Sequence, residues 1–203
     1  MEGFILVVGG SSSGKSEYAE ERAEEIRRGE GGGLVYLATG VVTDDEFADR
    51  VEQHRKRRPE EWLTVEEPYE LHQALSRVSK EYHHLLLEGM GSWVSNIILA
   101  TSSPNSNLSK SSVEETVREK LVLFLEACKQ WKGTGLVVAD EVGMGVVPPS
   151  SQGRIFRDLN GKVNRILAEI AQEVVQVTCG LPLTIKKDYS FPKEGEYGRE
   201  TQL

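Results

Sequence analysis

A glycine-rich loop near the amino terminus has the residue types that hold a triphosphate. The apolar run at residues 4–8 is followed by eight residues that fit the pattern G-x-x-x-x-G-K-[ST], namely Gly9, Gly10, Ser11, Ser12, Ser13, Gly14, Lys15 and Ser16. In such a loop the backbone amides surround a phosphate, the lysine reaches the β- and γ-phosphates, and the last hydroxyl can bind Mg²⁺. The pattern predicts nucleotide binding, but ATPases, GTPases and small-molecule kinases share it.

Carboxylates follow two other apolar runs, where they could serve a metal ion. Glu88 comes directly after residues 85–87, and Asp140 and Glu141 come directly after residues 136–139. Ligands bind at the carboxyl ends of parallel strands, and an enzyme with a phosphate-binding loop needs a carboxylate there. Acids also often begin loops that do no chemistry. We favour Glu88 as the metal partner and keep Asp140 and Glu141 as the alternative.

A histidine lies at the basic end of a predicted helix. Phe47, Val51 and His54 have i, i+4 and i+7 spacing, which places the imidazole on an apolar, inward-facing stripe. Four cations follow at residues 55–58, and they concentrate positive potential that suits a triphosphate. A neutral imidazole can attack phosphorus and form a covalent phosphoramidate. A packed core histidine beside a solvated basic helix end would give the same pattern.

Short apolar runs alternate with longer segments of helical period. The predicted strands cover residues 4–8, 34–38, 85–87, 136–139 and 174–178. The predicted helices cover residues 16–28, 46–58, 69–81, 113–131 and 156–173. This alternation predicts an α/β fold resembling the P-loop NTPases, a mostly parallel sheet with helices on both faces. We expect residues 1–186 to form a single nucleotide-binding domain, residues 101–112 a mobile polar loop, and residues 187–203 a flexible polar tail.

The composition excludes several classes of function. The 203 residues include 24 Lys and Arg against 32 Asp and Glu, a net charge of 24 − 32 = −8 that argues against coating nucleic acid. The apolar runs are far below the roughly 20 residues of a membrane span, and we expect no exported form and a cytoplasmic location. Cys128 and Cys179 have no metal-ligand spacing, so we treat both as small apolar residues.

The ordered set of motifs resembles one known family, the bifunctional adenosylcobinamide kinase / adenosylcobinamide-phosphate guanylyltransferases of cobalamin biosynthesis. The resemblance covers about residues 4 to 186, and its piece at residues 141–145 is more specific than the glycine-rich loop. The matching pieces are residues 9–16, 36–39, 44–46, 54–55, 58–59, 62, 93–96, 141–148, 153–154, 156–158, 161 and 164.

The resemblance implies two reactions and a set of site residues. A kinase reaction would phosphorylate adenosylcobinamide with ATP or GTP, and a second reaction would transfer GMP from GTP through a GMP-histidine. The histidine of that intermediate falls on His54, with Lys15 as the other catalytic residue and Mg²⁺ held by Ser16 and Glu88. The remaining nucleotide contacts would come from the loop at residues 9–16 and from Ala38, Thr39, Gly40, Arg55, Lys56, Arg57, Arg58, Glu66 and Glu88. The partners would be the two corrinoid substrates and further copies of the chain, with a trimer expected.

The chain departs from the family pattern beside the predicted metal carboxylate. Where relatives usually have Cys-Leu-Thr after the acid, Glu88 is followed by Gly89, Met90 and Gly91, and Asp140 stands where Asn is common. This departure leaves open a guanylyltransferase without kinase activity. The glycine-rich loop by itself also leaves open a small-molecule kinase without covalent GMP and a GTP-sensing module without turnover.

Overall fold

The computed structural model describes residues 4–42, 45–78, 80–101, 110–131 and 133–187, with backbone alone at residues 46, 47, 50 and 53. In these ranges, the strands are β1 (Phe4–Gly9), β2 (Gly33–Ala38), β3 (Leu63–Glu66), β4 (Tyr82–Glu88), β5 (Gly135–Asp140), β6 (Glu173–Thr178) and β7 (Leu181–Lys187). The helices are α1 (Lys15–Glu30), α2 (Asp45–Arg57), α3 (Leu71–Arg77), α4 (Met90–Thr101), α5 (Lys110–Lys129) and α6 (Ser151–Ile170).

The strands form one mostly parallel sheet in the order β3-β2-β4-β5-β1-β6-β7. Each neighbouring pair runs parallel except β6 and β7, which are antiparallel. The register places Ala38 opposite both Glu66 and Glu88, and Gly9 opposite Asp140. The carboxyl ends of five adjacent strands therefore share one edge of the sheet, and the predicted α/β fold is confirmed.

Helices cover both faces of the sheet, as the continuous apolar strands predicted. Leu6 and Leu37 point to a core shared with α3, α4, α5 and α6, while Val7 and Tyr36, one position along each strand, point to a core shared with α1. Successive side chains of a strand face opposite sides. A strand buried on both faces needs apolar residues at every position, which explains the unbroken runs.

Three elements were missing from the sequence prediction. Strand β3 is short and alternates half-buried with exposed residues, so it lacks an apolar run. Helix α4 buries seven of its twelve residues, Gly91 and Asn96 among them, and has no clear apolar stripe. Strand β7 exposes most of its side chains at the sheet edge. The helix predicted over residues 69–81 was too long, because α3 ends at Arg77 and β4 begins at Tyr82.

The structure describes only the ends of the two segments predicted as a polar loop and a polar tail. The predicted loop at residues 101–112 is partly helical, since Thr101 ends α4 and Lys110 begins α5, and residues 102–109 lie outside the described residues. The predicted tail at residues 187–203 begins one residue early, because Lys187 still belongs to β7; the rest lies outside the described residues. Among the helices in the described ranges, none has the length and apolar character of a membrane span.

Candidate active site

The glycine-rich loop connects β1 to α1 at the shared carboxyl edge of the sheet. Gly14 has φ +89°, a left-handed backbone conformation that glycine adopts without strain. A Cβ on Gly14 would also lie 3.1 Å from the Cα of Gly180, in the turn between β6 and β7. The amide of Gly180 donates a hydrogen bond of 2.8 Å to the carbonyl of Ser13. The β6–β7 turn therefore packs against the loop and helps to fix its shape.

Lys15 points along the loop to a carboxylate on the neighbouring strand. Its Nζ lies 2.9 Å from Oδ1 of Asp140 and 3.2 Å from the carbonyl of Gly10. The carbonyl of Asp140 accepts hydrogen bonds of 2.6 Å from Asn160 and 2.9 Å from Asn164, both on α6. The end of β5 is thus held in place, and it presents the Asp140 side chain to Lys15.

Ser16 and Glu88 are the two predicted metal ligands, and the structure brings them together. The Ser16 hydroxyl donates a hydrogen bond of 2.9 Å to Oε1 of Glu88, while Oε2 is buried with no hydrogen-bond partner among the described residues. Burial raises the pKa of Glu88 to about 7, against the opposing effects of His54, the Ser16 hydrogen bond and Lys15. A buried carboxylate oxygen without a partner beside a hydroxyl is a donor set that suits a hard divalent cation.

His54 lies in the last turn of α2, where ion pairs fasten that helix to α1. Its Nδ1 atom lies 3.1 Å from the Arg57 guanidinium and 3.5 Å from Oε1 of Glu20. Arg57 also bonds Glu17 at 2.6 Å and Glu20 at 3.1 Å. Because Glu17 and Glu20 are on α1, which begins in the glycine-rich loop, these contacts hold the imidazole close to the phosphate site.

The surroundings of His54 are more polar than the sequence predicted. The side chain is 28% exposed, and its described polar contacts are with Arg57 and Glu20. Val51 is half-buried, while the side chain of Phe47 lies outside the described residues. The ion pairs between α1 and α2 are the described contacts that hold the ring.

The four consecutive cations have different partners, because successive helical residues point in different directions. Arg57 contacts His54, Arg55 pairs with Glu66, and the Arg58 guanidinium lies 3.5 Å from the centroid of the Tyr36 ring. Lys56 pairs instead with Glu52 on the exposed side of α2. The structure thus directs Arg55, Arg57 and Arg58 toward the candidate site and Lys56 away from it.

A cavity of about 510 Å³ lies beside the end of β3. Its floor includes Trp62, whose ring stacks on Tyr36 with 6.3 Å between centroids. Charged groups of both signs surround this aromatic floor, so the cavity offers stacking and hydrogen bonding together. The lining residues are Arg55, Arg58, Pro59, Glu60, Trp62, Thr64 and Glu66.

The residues predicted to bind nucleotide at the end of β2 have different positions and contacts in the fold. Thr39 is fully buried, and its hydroxyl donates a hydrogen bond of 2.6 Å to the carbonyl of Gly89. Asn96 donates in turn to the carbonyl of Thr39 at 2.8 Å. Ala38 is half-buried and Gly40 is exposed. Thr39 therefore joins β2 to the turn after β4, and Gly40 is the exposed member of the three.

The comparison with protein families decides which chemistry this arrangement serves. The model of one family, described as cobinamide kinase / cobinamide phosphate guanyltransferase (CobU), matches residues 5–185 and so includes the whole candidate site. The chain belongs to this family. It is an enzyme of cobalamin biosynthesis with two activities, a cobinamide kinase and a cobinamide phosphate guanylyltransferase, and its corrinoid substrates follow from these activities.

Curated relatives from the cobinamide kinase / guanyltransferase family align with this chain over nearly their whole length. The bifunctional adenosylcobalamin biosynthesis protein CobU of Escherichia coli is 35% identical over 185 residues, covering 90% of this chain and 99% of the relative. Its namesake from Salmonella typhimurium is 33% identical over 185 residues, with the same coverage. The corresponding protein CobP of Pseudomonas aeruginosa is 32% identical over 181 residues, covering 89% of this chain and 96% of the relative.

A solved structure shares the fold at a greater distance. The flagellar accessory protein FlaH of Methanocaldococcus jannaschii superposes with a TM-score of 0.50 at 13% sequence identity, covering 95% of this chain and 83% of that one. This likeness supports the α/β architecture alone. The assignment to the cobinamide kinase / guanyltransferase family rests on the sequence comparisons.

Within this member of the family, the sequence reading missed Glu20 and the pairing of Tyr36 with Trp62. Glu20 is one helical turn after Ser16, so its spacing on α1 could have placed it on the same face as the phosphate loop. Tyr36 and Trp62 both lie in pieces that match the family, but the chain gives no local sign that their rings pair. The contacts of Tyr36 with Trp62 and Arg58 depend on the order of the strands and on the end of α2.

Proposed function

We propose that both reactions use the triphosphate held by the loop at residues 9–16, and that His54 is the nucleophile of the guanylyl transfer. In the kinase reaction, the corrinoid hydroxyl attacks the γ-phosphorus of ATP or GTP and the nucleoside diphosphate leaves. In the second reaction, His54 attacks the α-phosphorus of GTP and pyrophosphate leaves. The phosphate of the corrinoid then attacks the same phosphorus, giving the GDP-corrinoid and free His54.

The contacts of the imidazole ring carry this proposal. Both polar contacts described for the ring, with Arg57 and Glu20, fall on Nδ1. We therefore propose Nε2 as the atom that attacks phosphorus. The attack gives the ring a positive charge, and the Glu20 carboxylate beside Nδ1 is placed to stabilise that charge, as a carboxylate does for histidine in other enzymes. Arg57 would position the ring, since it contacts Nδ1 and pairs with Glu17 and Glu20 on α1.

Ser16 and Glu88 are the residues that would hold Mg²⁺. Their oxygen atoms suit this cation, and the buried Oε2 of Glu88 is the atom that it would satisfy. The described residues contain no cluster of three or more metal-binding side chains, which agrees with a cation that relies on phosphate oxygens for part of its coordination. When bound, Mg²⁺ would neutralise charge on the β- and γ-phosphates.

The cavity beside β3 would receive the guanine base of GTP. Glu66 could accept hydrogen bonds from the N–H groups on one edge of guanine, which adenine lacks. Arg55 pairs with Glu66 and would hold this carboxylate in position, while Arg58 and Trp62 also line the cavity and would contact the base. This arrangement favours GTP for guanylyl transfer and leaves the phosphate loop able to accept either triphosphate.

Assays with two corrinoid substrates test the proposed function. With Mg²⁺, ATP or GTP labelled on the γ-phosphate should transfer label to cobinamide, and GTP with cobinamide phosphate should give a GDP-corrinoid and pyrophosphate. Turnover of cobinamide phosphate but not cobinamide would identify a guanylyltransferase without kinase activity. Binding of intact GTP without either product would identify a GTP sensor and contradict the proposal.

We also propose that the enzyme acts as a homo-oligomer, with the trimer implied by the family resemblance as the expected form. An exposed apolar row on β7 supports an interface between copies, since Leu181, Leu183 and Ile185 are 72%, 63% and 56% exposed. The use of nucleoside triphosphates supports the cytoplasm as the place of action.

A further inference from the structure

The ion pair between Lys15 and Asp140 occupies the centre of the phosphate site. Lys15 is the residue expected to hold the β- and γ-phosphates, and its Nζ lies 2.9 Å from Oδ1 of Asp140. The lysine side chain is 12% exposed and the aspartate side chain 33%. A triphosphate that reaches Lys15 must therefore approach, and compete with, a carboxylate already paired with the same ammonium group.

The backbone of Asp140 is fixed, so the carboxylate cannot retreat by a shift of the strand. Asn160 and Asn164 both donate to its carbonyl, and the amide of the next residue, Glu141, donates to the carbonyl of Gly9 at 2.9 Å. These bonds join the end of β5 to α6 on one side and to the beginning of the phosphate loop on the other. The distance between the carboxylate and the loop is thus a built-in feature of the site.

Gly91 leaves the space that the carboxylate fills. A Cβ atom at residue 91 would lie less than 3.0 Å from Oδ2 of Asp140, closer than real Cβ atoms approach other atoms. Gly91 is buried within α4, and its backbone has helical conformation. The absence of a side chain at this helical position therefore has a specific consequence, because it allows an acidic group to lie against Lys15.

We propose that Asp140 makes the site select the metal complex of the triphosphate over the free triphosphate. This inference rests on the proposed function of the loop. A free triphosphate brings several negative charges next to Asp140, and like charges repel strongly where solvent is partly excluded. A divalent cation bound beside Ser16 and Glu88 offsets that repulsion. The Asp140 carboxylate thus weakens the binding of the free triphosphate more than the binding of its metal complex.

The test measures GTP affinity by calorimetry in EDTA and in excess Mg²⁺ for the parent and for Asp140→Asn. The variant keeps the shape of the side chain and removes its charge. We expect it to bind free GTP about tenfold more tightly than the parent, and the Mg²⁺ complex within about threefold, since a screened charge costs less. The preference for the metal complex should therefore fall.

Glu126→Gln is the control. It removes one acidic charge from the exposed face of α5, where Glu126 pairs with Lys129 on the same helix. We expect its preference for the metal complex to stay within about twofold of the parent, because general charge effects at this distance are weak. A second variant, Gly91→Ala, should displace the Asp140 carboxylate and lower the preference in the same direction as Asp140→Asn.

Two results would overturn the inference, and they are distinguishable. If the parent binds Mg-GTP but Asp140→Asn keeps the parental preference, or changes it no more than Glu126→Gln does, Asp140 does not select the metal complex and the proposed function stands. If the parent binds GTP under neither condition, the nucleotide site itself is wrong, and the proposed function is contradicted together with this inference.

Discussion

Ser16 and Glu88, 72 residues apart in the chain, are joined by a hydrogen bond of 2.9 Å from the serine hydroxyl to Oε1 of the carboxylate. The bond connects the first turn of α1 with the end of β4, two strands away from β1 in the sheet. The bond connects the phosphate loop to Glu88, whose other oxygen, Oε2, is buried with no hydrogen-bond partner among the described residues. The buried position of Glu88 makes it a residue through which pH should act on stability between about pH 4.5 and 7.

Stability should fall as the pH rises toward neutrality, because of Glu88. Burial raises its pKa from 4.5 to about 7, so the folded state binds a proton more tightly than the unfolded state. The resulting contribution to the free energy of unfolding is fully present below about pH 4.5 and is lost as the pH rises through about 7. Urea unfolding between pH 5 and 8 measures this decline. Glu88→Gln should have a flatter profile, and a slope equal to that of the parent would contradict the assignment.

Lys15→Ala should weaken Mg-GTP binding by about 10- to 100-fold and slow phosphoryl transfer, because one ammonium group serves both. Calorimetry and the kinase assay measure the two effects. Lys129→Ala is the control, since Lys129 is exposed on α5 and pairs with Glu126 on the same helix. Unchanged affinity and rate in Lys15→Ala would remove the glycine-rich loop from the mechanism.

Glu20→Gln should slow formation of the covalent GMP intermediate by about tenfold or more, because the carboxylate near Nδ1 of His54 stabilises the charged ring. GTP affinity should stay within about twofold, since Glu20 is not placed against the phosphates. Single-turnover labelling measures the rate, and thermal unfolding separates a catalytic effect from a loss of structure. Glu21→Gln, at the exposed neighbouring position, should match the parent. Equal losses in both variants would refute a specific role for Glu20.

The sequence predicted those parts of the site that depend on local chain geometry. The strand, glycine loop and helix at residues 4–30 follow one another directly, so the motif alone places Lys15 and Ser16 together. Glu88 could be placed because parallel strands end at a common edge. The bounds of α2 could also be predicted locally, because acidic residues lie at its start and cations followed by Pro59 lie at its end.

Relationships between distant elements could not be predicted in the same way. The pairing of Lys15 with Asp140 requires β5 to lie next to β1, an order that the intervening chain at residues 10–134 does not specify. The contact of His54 with Glu20 requires α2 to dock on α1 through Arg57. Helix α4 lacks the amphipathic period from which helices are predicted, because it is buried on several sides.

His54→Asn should abolish covalent guanylylation while GTP binding remains within about threefold of the parent, because the substitution removes the nucleophile and leaves the phosphate loop intact. His83→Asn is the control, since His83 is exposed at the opposite end of β4. Binding is measured by calorimetry under the conditions of the labelling reaction. A His54→Asn variant that no longer bound GTP would assign this residue to nucleotide binding instead.

The central claim is tested most directly by labelling the protein with GTP that carries its label on the α-phosphate. The enzyme is incubated with Mg²⁺ and this GTP without any corrinoid, denatured, and mapped by peptide mass spectrometry. We predict acid-labile, alkali-stable GMP on the peptide that contains His54 in the parent and in His83→Asn, and no label in His54→Asn. GMP attached to another residue, or equal labelling of His54→Asn and the parent, would contradict the proposed mechanism.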